Sequence, residues 1–261
     1  MRYFDSHAHY NDERFDEEYP GGRVQAIADA RAAGVEAILN AGTDPLSSAA
    51  SVALAEQYPF FYASAGIHPG DSRRITDEEI PAALDAIRRI AAHPKCVAIG
   101  EIGLDYHYED IPREIQLQAF RMQMELAREL NLPVIVHERE AHEDGMNVVR
   151  DFSDVTGVFH CYSGSAEMAR QLVDKGWYIG FTGVLTFKNA RKAIEVAASI
   201  PMDRIVIETD CPYMAPDPFR GKRNDPGKIY RMAEKLAEIR GLTVEEVQRI
   251  TTENGKRLYR I

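Results

Sequence analysis

The chain has 261 residues, 45% hydrophobic and 28% charged, a composition that suits one substantial core in an ordinary globular protein. Its 31 Lys and Arg stand against 41 Asp and Glu, and the net charge of -10 excludes a basic face that tracks along duplex nucleic acid. A small substrate, or a strand end gripped by a few local cations, stays compatible with that charge. No run approaches the ~18 apolar residues of a membrane span, and the opening residues lack the layout of a signal peptide, so no membrane association is expected and the chain reads as cytoplasmic. Cys96, Cys161 and Cys211 show no CxxC spacing and read as reduced core fillers, not a disulfide framework.

Residues 3–9 read as a first strand. Side chains two apart in a strand share a face, so His7 and His9 point the same way and suit one metal ion. A loop with Asp12, Glu13 and Asp16 leads to a helix bearing Val24, Ile27 and Ala28, stopped at Gly34. Residues 35–42 read as strand, 45–57 as helix, and 60–69 as a third strand that ends on His68 and Pro69. Thr76-Asp77-Glu78-Glu79 has the form of a capping box for a helix through Leu84, Ile87 and Ile90. The fourth strand, residues 96–101, runs into Gly103-Leu104-Asp105, and Pro112 opens the longest helix, with Leu117, Phe120, Met124 and Ala127 on one stripe. Residues 138–144 read as a solvated charged run. Four more strands follow at 133–137, 157–161, 177–183 and 204–212. Helices through Met168 and Leu172 and over 193–198 lie between the later ones; 229–239 and a helix capped by Thr243-Val244-Glu245-Glu246 close the chain.

Eight apolar strands alternating with helices imply parallel pairing, and eight such units in a chain of this length predict a single (β/α)8 TIM barrel domain over residues 1–261. Active sites of such barrels gather at the C-terminal strand ends. Those ends carry His7, His9, His68, Glu101, His137, His160 and Asp210. Any one of them alone would be an ordinary rim residue, but ionisable groups gathered in this way need partners, and a metal centre supplies them. Leaving His68 aside, the other four histidines and the two carboxylates exceed the needs of one tetrahedral ion and suit two ions sharing a carboxylate. His7, His9 and Asp210, completed by Glu101, would hold one; Glu101, His137 and His160 would hold the other. Asp5 and Glu208, two residues before His7 and Asp210, are either orienting partners of the ligands or buried carboxylates bonded to backbone and hydroxyls.

Basic residues cluster in Arg220-Gly221-Lys222-Arg223-Asn224; such a run is commonly just a solvated surface segment, but after the strand bearing Asp210 it places Lys222 and Arg223, together with His68, as expected contacts of a bound phosphate. Arg139, just past His137, is expected to face substrate as well. Ser163 in Ser163-Gly164-Ser165 offers a hydroxyl to an anion, although a helix cap is the commoner use of such a segment. His93, His107 and His142 have weaker claims.

Taken together, Asp5-Ser6-His7-Ala8-His9, Gly66-Ile67-His68-Pro69, Gly100-Glu101-Ile102-Gly103-Leu104-Asp105-Tyr106, His160-Cys161-Tyr162-Ser163-Gly164-Ser165, Glu208-Thr209-Asp210-Cys211-Pro212-Tyr213 and Gly221-Lys222-Arg223-Asn224 resemble the TatD family of metal-dependent hydrolases within the amidohydrolase barrel superfamily. The resemblance spans nearly the whole chain. It implies metal ligation by His7, His9, Glu101, His137, His160 and Asp210, and a deoxyribonuclease that trims single-stranded DNA from an end. Two departures stand out: Glu138-Arg139-Glu140 where serine, arginine and aspartate are usual, and Asn254-Gly255 where asparagine and alanine are usual. The first adds negative charge near the site; the second concerns the last helix.

The expected reaction is phosphodiester hydrolysis by metal-activated water, with Asp210 handling the water's proton and Glu101 shared between two divalent ions. Zinc, manganese and nickel suit such histidine-rich ligation, and magnesium stays a candidate. DNA is the expected partner, and no obligate protein partner is inferred. A carboxylic ester or amide, such as an aminoacyl ester, is the alternative substrate, and a non-catalytic metal-stabilised binding protein ranks below both.

Overall fold

The computed structural model describes residues 2–71, 79–108 and 111–261. In chain order the elements are β1 (Tyr3–Ala8), α1 (Arg14–Glu17), α2 (Gly22–Ala32), β2 (Val35–Ala41), α3 (Pro45–Gln57), β3 (Phe61–Ala65), α4 (Glu79–Ala91), β4 (Cys96–Asp105), α5 (Arg113–Leu130), β5 (Val134–Arg139) and α6 (His142–Asp151). They continue as β6 (Gly157–Phe159), α7 (Ala166–Asp174), β7 (Tyr178–Phe181), α8 (Arg191–Ser199), β8 (Ile205–Ile207), α9 (Tyr230–Arg240) and α10 (Val244–Tyr259). Eight strands alternating with helices is the expected order. The capping-box residues 76–78 lie outside the described residues. No described helix is long and apolar enough to cross a membrane.

The chain falls into two compact units, residues 1–40 with 161–261, and residues 41–160. In the first, β1 pairs in parallel with β2, and β7 with β8, Ile179 opposite Ile205 and Phe181 opposite Ile207. All six residues of β1 are buried, so its polar members must find partners inside. The last helix closes over this strand. Thr243 and Glu246 form the expected capping box of α10, and the Asn254 amide donates to the carbonyls of Met202 and Ile205 at 2.8 and 2.7 Å. Gly255 belongs to this packing: a Cβ there would stand 2.4 Å from the ring of buried Phe4. The Asn254-Gly255 departure thus concerns β1 as well as the last helix.

In the second unit β3, β4, β5 and β6 pair in parallel. The fourth strand runs four residues beyond its expected end, through Asp105, and all ten of its residues are buried. Its register with β5 shifts between Ile99 and Ile102, leaving Gly100 and Glu101 in the irregular stretch, a device that re-aims a side chain. Gly103, at φ 133, crosses β5 so closely that a Cβ would sit 2.0 Å from the His137 carbonyl oxygen; no other residue fits there. Helix α5 opens after Pro112 as expected. The solvated reading of residues 138–144 holds for Glu140, His142 and Glu143, which are exposed, but not for Glu138, which is buried at the end of β5, accepts from the Ala141 N–H at 2.8 Å and meets His142 Nδ1 at 2.5 Å. Strands β3, β6, β7 and β8 are shorter than their apolar runs, which therefore leave the ladder before their polar ends.

Candidate metal sites

The first unit gathers His7, His9 and Asp210. The Asp210 N–H donates to the His7 carbonyl at 2.9 Å and the His9 N–H to the Cys211 carbonyl at 2.8 Å, so the segment after β8 lies alongside the end of β1. Asp210 stands three residues past β8 in the left-handed region, φ 54, which Asp tolerates better than most residues. The turn aims its Oδ1 to 3.6 Å from His7 Nε2 and 3.4 Å from His9 Nε2, and the two Nε2 atoms are 3.0 Å apart. His7 and His9, two apart at the end of β1, thus face the same way, and the turn brings Asp210 to them.

Behind these donors lie Asp5 and Glu208. Burial pushes the Asp5 carboxyl up to about 7, even though the Thr209 hydroxyl and N–H donate to it at 2.5 and 2.9 Å and the His7 backbone adds a further bond. Asp5 thus serves the backbone and hydroxyl that carry the Asp210 turn. Glu208 accepts from the Cys161 N–H at 2.6 Å and from the Ser6 hydroxyl at 3.2 Å, and a Cβ on Gly180 would come within 2.7 Å of its carboxylate. Glycine at 180 leaves Glu208 its room.

The second unit gathers Glu101, His137, His160 and His68. Glu101 Oε1 is the hub, 2.7 Å from His160 Nε2, 3.1 Å from His137 Nδ1 and 3.5 Å from His68 Nε2. His68, expected to face substrate, stands among these donors, its ring edge-on to His137 at 4.4 Å. On its other side His137 Nε2 meets Asp105 Oδ2 at 3.2 Å. A carboxylate on the far nitrogen fixes imidazole orientation in metal sites. Burial alone would push the His137 pKa down, but Asp105 and Glu101 outweigh it and raise it; burial likewise pushes Asp105 up, and His137 brings it below the usual carboxylate range. The two carboxylates draw positive charge into this cluster. Sequence reasoning missed Asp105, although Asp105 is four residues past Glu101 and so on the same face once the strand is extended that far.

Both clusters fit a divalent cation: imidazole nitrogens and carboxylate oxygens converge and no cysteine takes part. Cys161 Sγ lies 3.3 Å from the Thr182 hydroxyl, and Cys96 and Cys211 are buried. The histidines outside the clusters face carboxylates, His93 with Glu56, His107 with Glu140 and His142 with Glu138. Glu138 and Glu140, the charges of the first departure, are thus engaged by neighbours.

The expected substrate contacts separate. Arg139 lies over the Tyr108 ring at 5.5 Å. Ser163 is exposed, while Ser165 accepts from the Met168 N–H at 3.1 Å and caps α7, the commoner of the two readings of that segment. Lys222 and Arg223 line a cavity of about 460 Å³ in the first unit, with Tyr213. Tyr213 had no role in sequence reasoning; its N–H donates to the Asp210 carbonyl at 2.8 Å, and its ring stands edge-on to His9 at 6.0 Å.

The family model described as TatD related DNase matches residues 4–260. The chain is 45% identical over 260 residues, 99% of both chains, to the uncharacterized metal-dependent hydrolase YabD of Bacillus subtilis. It is 34% identical over 251 residues, 94% of this chain and 95% of the relative, to a Salmonella typhimurium protein named 3'-5' ssDNA/RNA exonuclease TatD. Among solved structures it is similar to YjjV of Escherichia coli, a TatD homolog, with a TM-score of 0.90, 31% identity and coverage of 100% and 98%. With that likeness, the alternation of eight parallel strands and helices is the (β/α)8 barrel fold.

Proposed function

The chain belongs to the TatD related DNase family of metal-dependent hydrolases, and from that premise we propose that it is a divalent-metal-dependent nuclease that removes nucleotides from single-stranded DNA ends. The observation that carries the reading is the composition of the two donor clusters, His7, His9 and Asp210 in one and Glu101, His137 and His160 in the other, with His68 a further donor of the second. The name of the Salmonella relative supports the substrate class. Each cluster is assigned one ion, with zinc, manganese and nickel favoured by the imidazoles and magnesium kept as a candidate. A bound divalent ion supplies positive charge to phosphate oxygens and makes water more acidic. Asp210 takes the proton of the attacking water, Lys222 and Arg223 neutralise the phosphate, and Asp105 keeps His137 in its ligating orientation.

The test is hydrolysis of end-labelled single-stranded DNA by metal-reconstituted protein, beside the Asp210→Ala variant and an aminoacyl ester. Metal-dependent shortening from one end, lost in the variant, is the expected result and also gives the polarity. Ester cleavage with intact DNA would keep the metals and reject the nuclease.

A further inference from the structure

We propose that the cavity beside Tyr213 is a subsite for one nucleotide unit, taking both the phosphate and the base of the residue that flanks the scissile bond. This rests on the nuclease reading, but assigns residues that it leaves idle: Arg14, Phe187, Tyr213 and Arg220.

The cavity, about 460 Å³, has the size of a small-molecule site and lies wholly in the first unit. Its position follows from the backbone. Tyr213 is hydrogen-bonded to the Asp210 carbonyl and its ring meets His9, so the cavity adjoins a donor cluster.

Its charge is unusual for a chain of net charge -10. Arg220, Lys222 and Arg223 all line it, and none has a carboxylate partner among the described residues. Arg223 Nε is buried with no hydrogen-bond partner, a cost that an incoming anion would relieve. Arg14, by contrast, is committed: it grips Asp12 through two bonds of 2.9 and 2.7 Å and also interacts with Glu18, the acidic group of the cavity lining. Three cations without acidic partners around one hollow describe an anion site.

Phosphate alone would not need the rest of the lining. Arg14 lies over the Tyr213 ring at 4.2 Å and Arg220 over Phe187 at 4.2 Å, while Tyr213 is 45% exposed. Each stack presents a flat guanidinium or ring, and unstacked bases lie on such planes with little regard to sequence. Anion capture and planar stacking in one cavity select a phosphate that carries a base. A duplex end offers its bases already stacked, so the subsite favours single strands.

The experiment is calorimetric titration of the full chain with thymidine 5'-monophosphate and with inorganic phosphate, in chelator and again with manganese. Binding of the mononucleotide that survives chelator is expected, with inorganic phosphate about tenfold weaker and with about tenfold losses in Arg220→Ala and in Tyr213→Leu. Both side chains are exposed, so the variants should fold; circular dichroism checks this. Equal affinity for phosphate and mononucleotide, or no change in either variant, would overturn the proposal. The same variants acting on labelled single-stranded DNA should show a raised KM with kcat retained. Cleavage with unchanged KM would reject the subsite and leave the nuclease standing. Mononucleotide binding without cleavage of any strand would support the subsite and reject the nuclease.

Discussion

The two donor clusters differ in how much chain each one needs. In the first unit two imidazoles come from one strand end, and a single turn, braced by Asp5 through Thr209, brings in Asp210. In the second, three imidazoles from three separate segments converge on one oxygen of Glu101, which comes from a fourth, with Asp105 behind. A local motif thus makes a cluster whose geometry depends on β1 and one turn. A dispersed one depends on strand register and on a bulge, and it carries an added carboxylate to hold an imidazole in place.

The largest effect is expected where a donor also handles a proton. Asp210→Ala should lower kcat by about 10²–10⁴-fold with far-ultraviolet circular dichroism unchanged. Near-normal turnover would remove Asp210 from the chemistry and make the first cluster a structural feature. The second cluster is broken more gently at its support: Asp105→Asn keeps the shape but loses the charge behind His137, and should cost about 10–100-fold in metal affinity, read by titration against a metal indicator. An unchanged metal affinity would mean that Asp105 serves only the fold.

Two smaller changes act on the first unit. Gly255→Ala gains about 1 kcal/mol of helix propensity but sets a methyl against buried Phe4, where overpacking costs about 1–3 kcal/mol. The clash should win, lowering Tm by about 2–4 °C; a rise would show that Phe4 has room to move. The smallest effect concerns Asp12. Burial pushes its carboxyl up, but the Arg14 bonds and the Tyr213 hydroxyl outweigh this and hold it at about 2. Folded Asp12 therefore ionises more readily than unfolded Asp12, and the stability this lends is present above about pH 4 and fades as pH falls toward 2. Asp12→Asn should lower Tm by about 2 °C at pH 7 and by much less near pH 2, in keeping with the modest worth of an ion pair that is only partly buried. Equal losses at both pH values would trace the effect to packing.

Much was legible in the residues themselves, because local physics decides it. Helix α3 keeps its expected bounds, α10 has its capping box, and the facing of His7 and His9 follows from the two-residue period of a strand. The family motifs carry the fold and the ligand candidates, since the chemistry of a donor set is written in residue types. What only the tertiary structure decided is where a strand stops and what a side chain meets across the sheet. β4 runs on to Asp105 because β5 supplies partners for it, and β8 ends at Ile207 because the next residues turn away to present Asp210. Within the charged run at 138–144, Glu138 is buried where charge alone suggested solvent, because it meets the Ala141 N–H and His142. The basic segment at 220–223 announces cations, but not the rings of Tyr213 and Phe187 set beside them, because contacts between distant parts of the chain exist only once it has folded.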